Sequence, residues 1–264
     1  MTGGIKILHE PKDDEPFVVL HKSSGLPSAP LSAFDHESAF SQCARLFPKV
    51  KRVKGKKEIE GGLLHRIDTA TGGLLLIASS QEFYDHISAA QEKGLFVKGY
   101  RAVCAMDKDN AKKLGGFPEL PQEAPFSFLE SDGDFFSKPF SFEAASYFRH
   151  YGKGKKEVRP VLASSSAAAV KKVGEKKLYS TKMFFKKIQG GQALVECKIA
   201  LGFRHQVRCH LAWLGFPVDR DRLYNFEFLR SQKNEGPMRF EAVSLEFPGM
   251  NGEGRFSFSC EAAF

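Results

Sequence analysis

The chain has 264 residues, enough to bury the core of one large domain or of two small ones. Its 42% hydrophobic and 27% charged residues are typical of a globular protein, and no apolar run reaches the roughly eighteen residues that a transmembrane helix requires. The net charge of +8 favours a polyanionic partner.

Short strands and two amphipathic helices are predicted before residue 106. Apolar side chains at helical spacing between Phe40 and Phe47 predict the first helix, and Ser79–Glu82 has the pattern of a capping box that begins the second. Gly94 follows the second helix and is expected to end it. Strands are predicted over residues 5–8, 17–20, 74–78 and 95–105.

Regular patterns weaken between residues 107 and 177 and return after them. The middle segment is rich in Gly, Pro, Ser and Lys, so long loops with a few short strands are expected there. Gln189–Gly191 is a hairpin signal, and Val207 with Leu211 indicates the buried face of a later helix. Strands are predicted over residues 178–187, 192–201 and 239–247. This pattern predicts an α+β fold with a mixed, mainly antiparallel sheet flanked by helices.

The basic residues are clustered in three runs. Each run alone is equally well explained as a solvated loop. Three runs together favour binding to nucleic-acid phosphates, without sequence readout and with a steep loss of affinity in salt. The runs are Lys49–Lys57, Lys153–Arg159 and Lys171–Lys177.

The cysteines and the N-terminal residues indicate in which cellular compartment the protein is expected. The five cysteines are odd in number and scattered, and no Cys-x-x-Cys pair occurs. They are therefore predicted to be buried thiols in a reducing cytoplasm, with neither disulfides nor a zinc site. Met1–Gly4 has no basic segment followed by an apolar one, so no signal peptide is expected.

The segment from Leu64 to Ile77 is the most informative part of the chain. Arg66 and Asp68 lie in a Thr/Gly-rich turn that leads into an apolar run, where a charge is costly unless it is paired or used. Asp68 is therefore interpreted as a functional side chain, with Arg208 as its plausible partner. A carboxylate that a guanidinium keeps ionised is a poor general acid and a usable nucleophile. A purely structural ion pair is the more common role for such residues.

Five motifs, in order, resemble those of the RluA-type pseudouridine synthases. Residues 65–76, HRIDTATGGLLL, resemble the family signature HRLDxxTSGLLL. The resemblance implies the catalytic fold of that family with a central cleft, as one domain over residues 1–264 without a separate N-terminal RNA-binding domain. Residues 107–177 would form a loop-rich insert in it. The other motifs lie at residues 18–27, 98–102, 202–211 and 217–224, and the resemblance covers roughly residues 5–248.

The resemblance also implies an RNA-modifying isomerase that needs neither a cofactor nor a metal. Such enzymes detach uracil from its ribose, rotate it and rejoin it through a carbon, here in ribosomal or transfer RNA. Asp68 matches the aspartate that forms the covalent intermediate, Tyr100 the tyrosine that stacks on uracil, and Arg208 the salt-bridge partner of the aspartate. Arg66 matches an arginine that fills the space left by the flipped nucleotide. A monomer is expected. The predicted RNA-binding side chains are Arg66, His65, Gln206, Lys54, Lys56 and Lys57.

Several positions depart from the family motifs, but Asp68, Tyr100 and Arg208 do not. The departures bear on which RNA is the substrate. They are Ser23 for proline, Gly73 for serine, Phe203-Arg204 for Arg-Thr, and Phe240-Glu241 for Leu-His.

Two other functions stay open at this point. One is a non-catalytic RNA-binding module on the same scaffold, which would tolerate the loss of the Asp68 carboxylate. The other is a metal-dependent nuclease, which would need a carboxylate cluster. The sequence has neither such a cluster nor histidines at ligand spacing.

Overall fold

The computed structural model describes residues 4–32, 34–121, 124, 139–189, 191–231, 236–250, 252 and 254–264, with the side chains of 187–189 left out. The chain forms two compact units. Unit 1 comprises Met1–Gly99 and Glu241–Phe264, and unit 2 comprises Tyr100–Phe240. Within the described residues, no helix has the length and apolarity needed to cross a membrane.

Ten strands and six α-helices are described. The strands are β1 (Ile5–His9), β2 (Phe17–Lys22), β3 (Gly72–Ala78), β4 (Val97–Ala105), β5 (Phe140–Tyr151), β6 (Glu157–Val161), β7 (Tyr179–Gln189), β8 (Gln192–Ile199), β9 (Phe240–Pro248) and β10 (Arg255–Ser259). The helices are α1 (Ala39–Leu46), α2 (Gln81–Glu92), α3 (Asn110–Leu114), α4 (Ala167–Val170), α5 (Gln206–Trp213) and α6 (Phe226–Ser231). Short 3-10 helices cover Pro48–Arg52, Glu58–Glu60 and Lys153–Lys155.

Unit 1 is built on strands in the order β1-β2-β3-β9, with β10 paired to β9. β3 and β9 run parallel, and the other described pairs of this unit run antiparallel. All seven residues of β3 are buried, as expected for an apolar strand with neighbours on both sides. The apolar core of the unit includes Phe17, Leu74, Leu76, Phe83, Phe96 and Phe247.

Gly73 makes the parallel pairing of β3 with β9 possible. Its backbone φ is +122°, a conformation that residues other than glycine rarely adopt. A Cβ at this position would lie 2.2 Å from the carbonyl oxygen of Ala242, its partner in the pairing. In this chain, a serine at position 73, as in the family motif, would therefore clash with the backbone of β9.

Unit 2 contains the strand order β4-β8-β7-β5-β6. β7 and β8 form the antiparallel hairpin that the sequence predicts, although Gly190 of its turn lies outside the described residues. α5 is buried along its whole length, and Val207 and Leu211 lie in the interior as predicted. Part of the core of this unit is formed by Phe148, Val158, Tyr179, Cys209, Ala212 and Tyr224.

The α+β fold with a mixed, mainly antiparallel sheet is confirmed, and several details differ from the predictions. The residue that caps α2 is Ser80, whose Oγ accepts the N–H of Phe83, so Ser79 and Glu82 do not form the predicted capping box. β10 follows the strand that was predicted to be the last. α6 was missed because six residues are too short to show a helical period.

The segment 107–177 is more regular than its composition indicates. β5 has twelve residues and pairs with β7 on one side and β6 on the other. Residues 140–146 pair with β7 and residues 147–151 pair with β6, so the length of β5 is set by two partner strands in succession. The expectation of only short strands in this segment was therefore wrong for β5. Residues 122–123 and 125–138 lie outside the described part of the chain.

Candidate active site

Asp68 lies in a turn that immediately precedes β3. We call residues 67–71 the Asp68 turn. The N–H of Thr71 donates to the carbonyl oxygen of Asp68 at 3.0 Å and closes the turn. Ile67 and Thr71 are buried, whereas Asp68 is half-buried. The carboxylate is therefore carried by a backbone that its buried neighbours hold in place.

A second segment, residues 22–28, holds the Asp68 turn through hydrogen bonds, and we call it the opening loop. Ser28 Oγ donates to the carbonyl of Ile67 at 2.7 Å and accepts the N–H of the same residue at 3.1 Å. The N–H of Gly25 donates to the carbonyl of Thr69 at 2.8 Å. The sequence analysis matched this loop to a family motif but assigned it no role at the site.

Lys22 begins the opening loop and is completely buried. Burial lowers the pKa of its ammonium to about 8, and the negative charge of Asp68 opposes this effect. Its Nζ donates to the carbonyls of Leu26 at 2.7 Å, Thr71 at 2.6 Å, Ser23 at 3.2 Å and Thr69 at 3.3 Å.

Ser23, which departs from the family proline, ties the opening loop to the N-terminal segment. Its N–H and its Oγ both donate to the carbonyl of Gly4, at 3.1 and 2.8 Å. A proline could make neither bond, because it has no N–H and no hydroxyl. The adjacent Ser24 donates from Oγ to the carbonyl of Ala70 at 2.7 Å, which adds a further bond to the Asp68 turn.

Arg66 is oriented by a buried carboxylate. Its Nη1 lies 3.1 Å from Glu60 Oε1, and its side chain is 57% exposed. Lys57 Nζ lies 3.7 Å from the same oxygen. Glu60 thus holds two predicted RNA-binding cations at the surface of unit 1.

The loop with Lys54 and Lys56 is attached to α2 through its backbone. The N–H of Lys54 donates to Gln81 Oε1 at 2.8 Å, and the N–H of Lys56 donates to the hydroxyl of Tyr84 at 3.0 Å. Both lysines are exposed. An ordered backbone with exposed ammonium groups suits contact with phosphates.

His65 has a structural environment. Its Nε2 accepts the N–H of Leu76 at 3.2 Å, and its ring meets that of Phe96 edge-on at 5.2 Å. Burial, with a contribution from Lys98, lowers the pKa of His65 to about 3, which keeps the ring neutral. These contacts favour a structural role, and the predicted RNA-binding role stays a prediction.

Tyr100 lies on β4 in unit 2 and is 8% exposed. Its ring stacks on that of Phe240, with centroids 5.2 Å apart and an interplanar angle of 6°. Phe240 is one of the departures from the family pattern. Its ring braces the plane of the tyrosine ring, which the smaller leucine of the family would do less completely.

Arg208 on α5 forms a buried, two-pronged salt bridge with Asp221. The Nε–Oδ2 and Nη2–Oδ1 distances are 2.8 and 2.7 Å. Burial acts to raise the pKa of Asp221, but the charge and hydrogen bonds of Arg208, together with the backbone N–H groups of Leu223 and Tyr224, hold this pKa below the usual value. The sequence analysis gave Asp221 no role, although the motif at 217–224 contains it. The predicted pairing of Arg208 with Asp68, which belongs to the other unit, stays a prediction.

Gln206 and Phe203 are bound into the interior of unit 2. The Gln206 amide donates to the carbonyl of Ser180 at 2.9 Å and accepts the N–H of Phe203 at 2.9 Å. The Phe203 ring stacks on Phe148 at 5.0 Å. This geometry favours a structural role for Gln206, whose RNA-binding role stays a prediction. It also explains Phe203 as a half-buried residue that packs against the core of unit 2.

This chain matches one family of known proteins over most of its length. The sequence profile of the family described as RNA pseudouridylate synthase matches residues 16–213. The chain belongs to this family. The match confirms the RluA-type resemblance, and the matched range contains Asp68, Tyr100 and Arg208.

Curated relatives of this RNA pseudouridylate synthase family member are distant. An uncharacterized RNA pseudouridine synthase of Mycoplasma pneumoniae is 24% identical over 260 residues, which are 98% of this chain and 68% of that protein. The mitochondrial tRNA pseudouridine(32) synthase of Saccharomyces cerevisiae is 25% identical over 225 residues. That alignment covers 84% of this chain but only 37% of the yeast protein.

Solved structures of the family share the fold. Human RNA pseudouridylate synthase domain containing 1 matches with a TM-score of 0.63 at 16% identity, over 100% of this chain and 86% of that one. Human RNA pseudouridylate synthase domain containing 4 matches with a TM-score of 0.59 at 18% identity, over 97% and 88%. The similarity confirms the predicted fold. In the described part of this family member, no three His, Cys, Asp or Glu side chains form a group that could hold a metal ion.

His210, on the same helix as Arg208, is expected to make stability depend on pH. Its ring lies between Ser146 Oγ at 2.9 Å and Thr181 Oγ1 at 2.8 Å, and burial lowers its pKa to about 3. The unfolded chain binds a proton near the ordinary pKa of about 6.5 and the folded one does not, so stability falls as the pH drops below that value.

This histidine should contribute a loss of about 2 kcal/mol in the free energy of unfolding between pH 7 and pH 5. The measurement is urea unfolding at both pH values for the wild type and for His210→Gln. The variant should show the smaller difference. An equal difference in both proteins would contradict the prediction.

Proposed function

We propose that this chain converts uridines of RNA to pseudouridine, with Asp68 as the nucleophile. The observation that carries the proposal is the family match over residues 16–213. The reaction breaks the bond from N1 of uracil to C1′ of the ribose and forms a bond from C5 to C1′. C5 loses its proton and N1 gains one. Substrate and product are isomers, so the reaction requires no oxidant, reductant or second substrate.

The arrangement around Asp68 supports this role. A nucleophile must be presented in a fixed position, and the Asp68 turn is held by bonds from Ser28, Gly25 and Lys22. Tyr100, braced by Phe240, is proposed to stack on the uracil. Arg208 is proposed to keep the nucleophile ionised.

RNA is proposed to bind through exposed cations of unit 1. Arg66, Lys54, Lys56 and Lys57 lie close together in sequence and are exposed. Contacts to phosphates would offset the cost of extruding the target nucleotide, about a few kcal/mol. Arg66 is proposed to fill the space that the extruded nucleotide leaves.

The domain organisation, the oligomeric state, the class of RNA and the cellular location are also proposals. We infer one catalytic domain over the whole chain and a monomeric protein that acts on ribosomal or transfer RNA. A cytoplasmic location is proposed because all five cysteines are free thiols, four of them buried.

The decisive experiment is tritium release from RNA labelled at C5 of uracil. The purified full chain is incubated with labelled transfer RNA and, separately, ribosomal RNA from cells that lack the protein. Release to water from at least one RNA, unaffected by a chelator, is expected. Release that the chelator abolishes would favour the metal-dependent alternative. No release from either RNA by folded protein would overturn the proposal, and binding without release would favour a non-catalytic RNA-binding module.

A further inference from the structure

Two of the three basic runs of the sequence belong to unit 2, and the proposed function uses neither of them. They are Lys153–Arg159 and Lys171–Lys177. Each run alone is equally well explained as a solvated loop. The fold of unit 2, however, brings both runs to the same end of β5, which no solvated loop requires.

The first run forms the tip of the hairpin between β5 and β6. Tyr151 pairs with Glu157, and the short 3-10 helix Lys153–Lys155 lies between them. Gly152 and Gly154 have φ values of +74° and +69°, which permit this tight turn. The lysines of the tip are all exposed, namely Lys153, Lys155 and Lys156.

The second run lies beside the same end of β5. Val173, in the middle of the run, forms an antiparallel bridge with Arg149, which pairs with Arg159 on its other edge. Paired strands lie about 5 Å apart and a strand rises about 3.3 Å per residue, so Val173 lies within roughly 15 Å of Lys153. The lysines of this run are also exposed, namely Lys171, Lys172, Lys176 and Lys177.

Arg204 adds a cation from a third segment. Its side chain is exposed, and its Nη1 donates to the carbonyl of Lys155 at 3.3 Å. The preceding Phe203 packs on the rings of Phe148 and Tyr179, with centroids 5.0 and 5.2 Å apart. Phe203-Arg204 replaces the Arg-Thr of the family motif, so this departure places a guanidinium beside the hairpin tip.

We call the exposed cations of these three segments the unit 2 basic surface. Two carboxylates lie in the same segments, and both are engaged by neighbours. Glu157 Oε2 lies 2.8 Å from Arg159 Nη2, and Glu175 accepts the hydroxyl of Tyr179. A strong positive excess therefore remains. The members of the surface are Lys153, Lys155, Lys156, Lys171, Lys172, Lys176, Lys177 and Arg204.

The aromatic neighbours of this surface are already in use. The ring of Tyr151 is covered by the guanidinium groups of Arg149 and Arg159, at 4.9 and 4.2 Å from its centroid. Single-stranded bases bind by stacking on open aromatic rings, whereas phosphates need charges and N–H donors. The unit 2 basic surface therefore has the chemistry of a phosphate-binding surface.

We propose that the unit 2 basic surface binds the phosphate backbone of the substrate RNA. The inference rests on the proposed function, in which RNA is the substrate, and it adds a contact surface to the cations of unit 1. Phosphate contacts carry no base information and bind substrate and transition state equally. The surface would thus raise the affinity for RNAs whose folded backbone reaches it and leave the chemical step unchanged.

The test uses two double variants of the full chain. One is Lys153→Gln with Lys156→Gln at the hairpin tip, and the other is Lys171→Gln with Lys172→Gln in the second run. All four side chains are exposed, so the fold should persist, which circular dichroism verifies. Binding to transfer RNA and to ribosomal RNA and single-turnover tritium release are compared with those of the wild type.

Each double variant is expected to bind RNA about tenfold more weakly at about 0.15 M salt. The slope of log K against log salt concentration should become shallower by about 1.5, since each phosphate contact contributes about 0.7–0.9. The rate constant at saturating RNA should stay within about twofold of the wild type. Unchanged affinity and slope in both variants would overturn the inference, as would a lower rate constant at unchanged affinity.

The matched control is Lys182→Gln with Lys198→Gln, which removes the same charge from the same unit. The two residues are exposed cross-strand neighbours on β7 and β8. Lys182 also pairs with Glu143 on β5, at a distance of about 25 Å along the strand from Tyr151. The control should bind RNA within about twofold of the wild type. A loss equal to that of the other double variants would show a dependence on net charge alone and overturn the inference.

Failure of this inference can be distinguished from failure of the proposed function. Binding affinities and salt slopes are measured without turnover, so they test the unit 2 basic surface even if the wild type releases no tritium. Weaker binding by both double variants without any release would support the surface and refute the reaction. Release by the wild type with unchanged binding in both double variants would support the reaction and refute the surface.

Discussion

Asp68→Asn is expected to abolish pseudouridine formation while leaving RNA binding intact. The amide has almost the same shape as the carboxylate, and the hydrogen bonds described above for the Asp68 turn use its backbone groups, so these bonds should remain. It is not a nucleophile, however, and cannot form the covalent intermediate. Tritium release should fall by at least about 10⁴-fold, and the Kd for RNA should change by less than about threefold.

The control for this substitution is Asp85→Asn on α2. Asp85 is exposed and accepts a bond from Gln81 Nε2 at 2.9 Å, so the variant removes one carboxylate of unit 1 away from the Asp68 turn. It should release tritium at the wild-type rate. Substantial turnover by Asp68→Asn, or a parallel loss in both variants, would argue against Asp68 as the nucleophile.

Asp221→Asn is expected to cause the largest loss of stability among the substitutions considered. Arg208 and Asp221 are 5% and 0% exposed at the side chain, and their two short bonds compensate the cost of burying both charges. Removing the negative charge takes from a buried guanidinium the carboxylate that compensates it through two hydrogen bonds, which costs about 3–5 kcal/mol. Urea unfolding at pH 7 measures the loss.

Asp219→Asn is the matched control, two residues away in the same turn. Its carboxylate is 21% exposed and lies 3.7 Å from both Arg220 and Arg239, so the loss should stay below about 1 kcal/mol. Combining Asp221→Asn with Arg208→Met should restore part of the lost stability, since the buried positive charge that lost the Asp221 carboxylate is removed as well. Equal losses in Asp221→Asn and Asp219→Asn would contradict a buried, mutually dependent pair.

Local patterns were sufficient for most of the secondary structure. β3 is an uninterrupted apolar run, and α5 repeats apolar residues at helical spacing, so each could be predicted from its own residues. β5, α6 and β10 were missed or underestimated because each is short, weakly patterned or stabilised by pairing with distant strands. The family was predicted from five motifs in order and is confirmed by the family match.

The amino-acid sequence alone was enough to predict the family and the kind of chemistry, and to propose Asp68 as the nucleophile, because one continuous motif carries these signals. The partner of Arg208 and the place of Lys22 became visible only in the folded chain. Both depend on strand register and burial, which bring together side chains and carbonyls that are distant in sequence or unremarkable in composition. A buried charge selects its partners by geometry, and no periodicity of residue types records that selection.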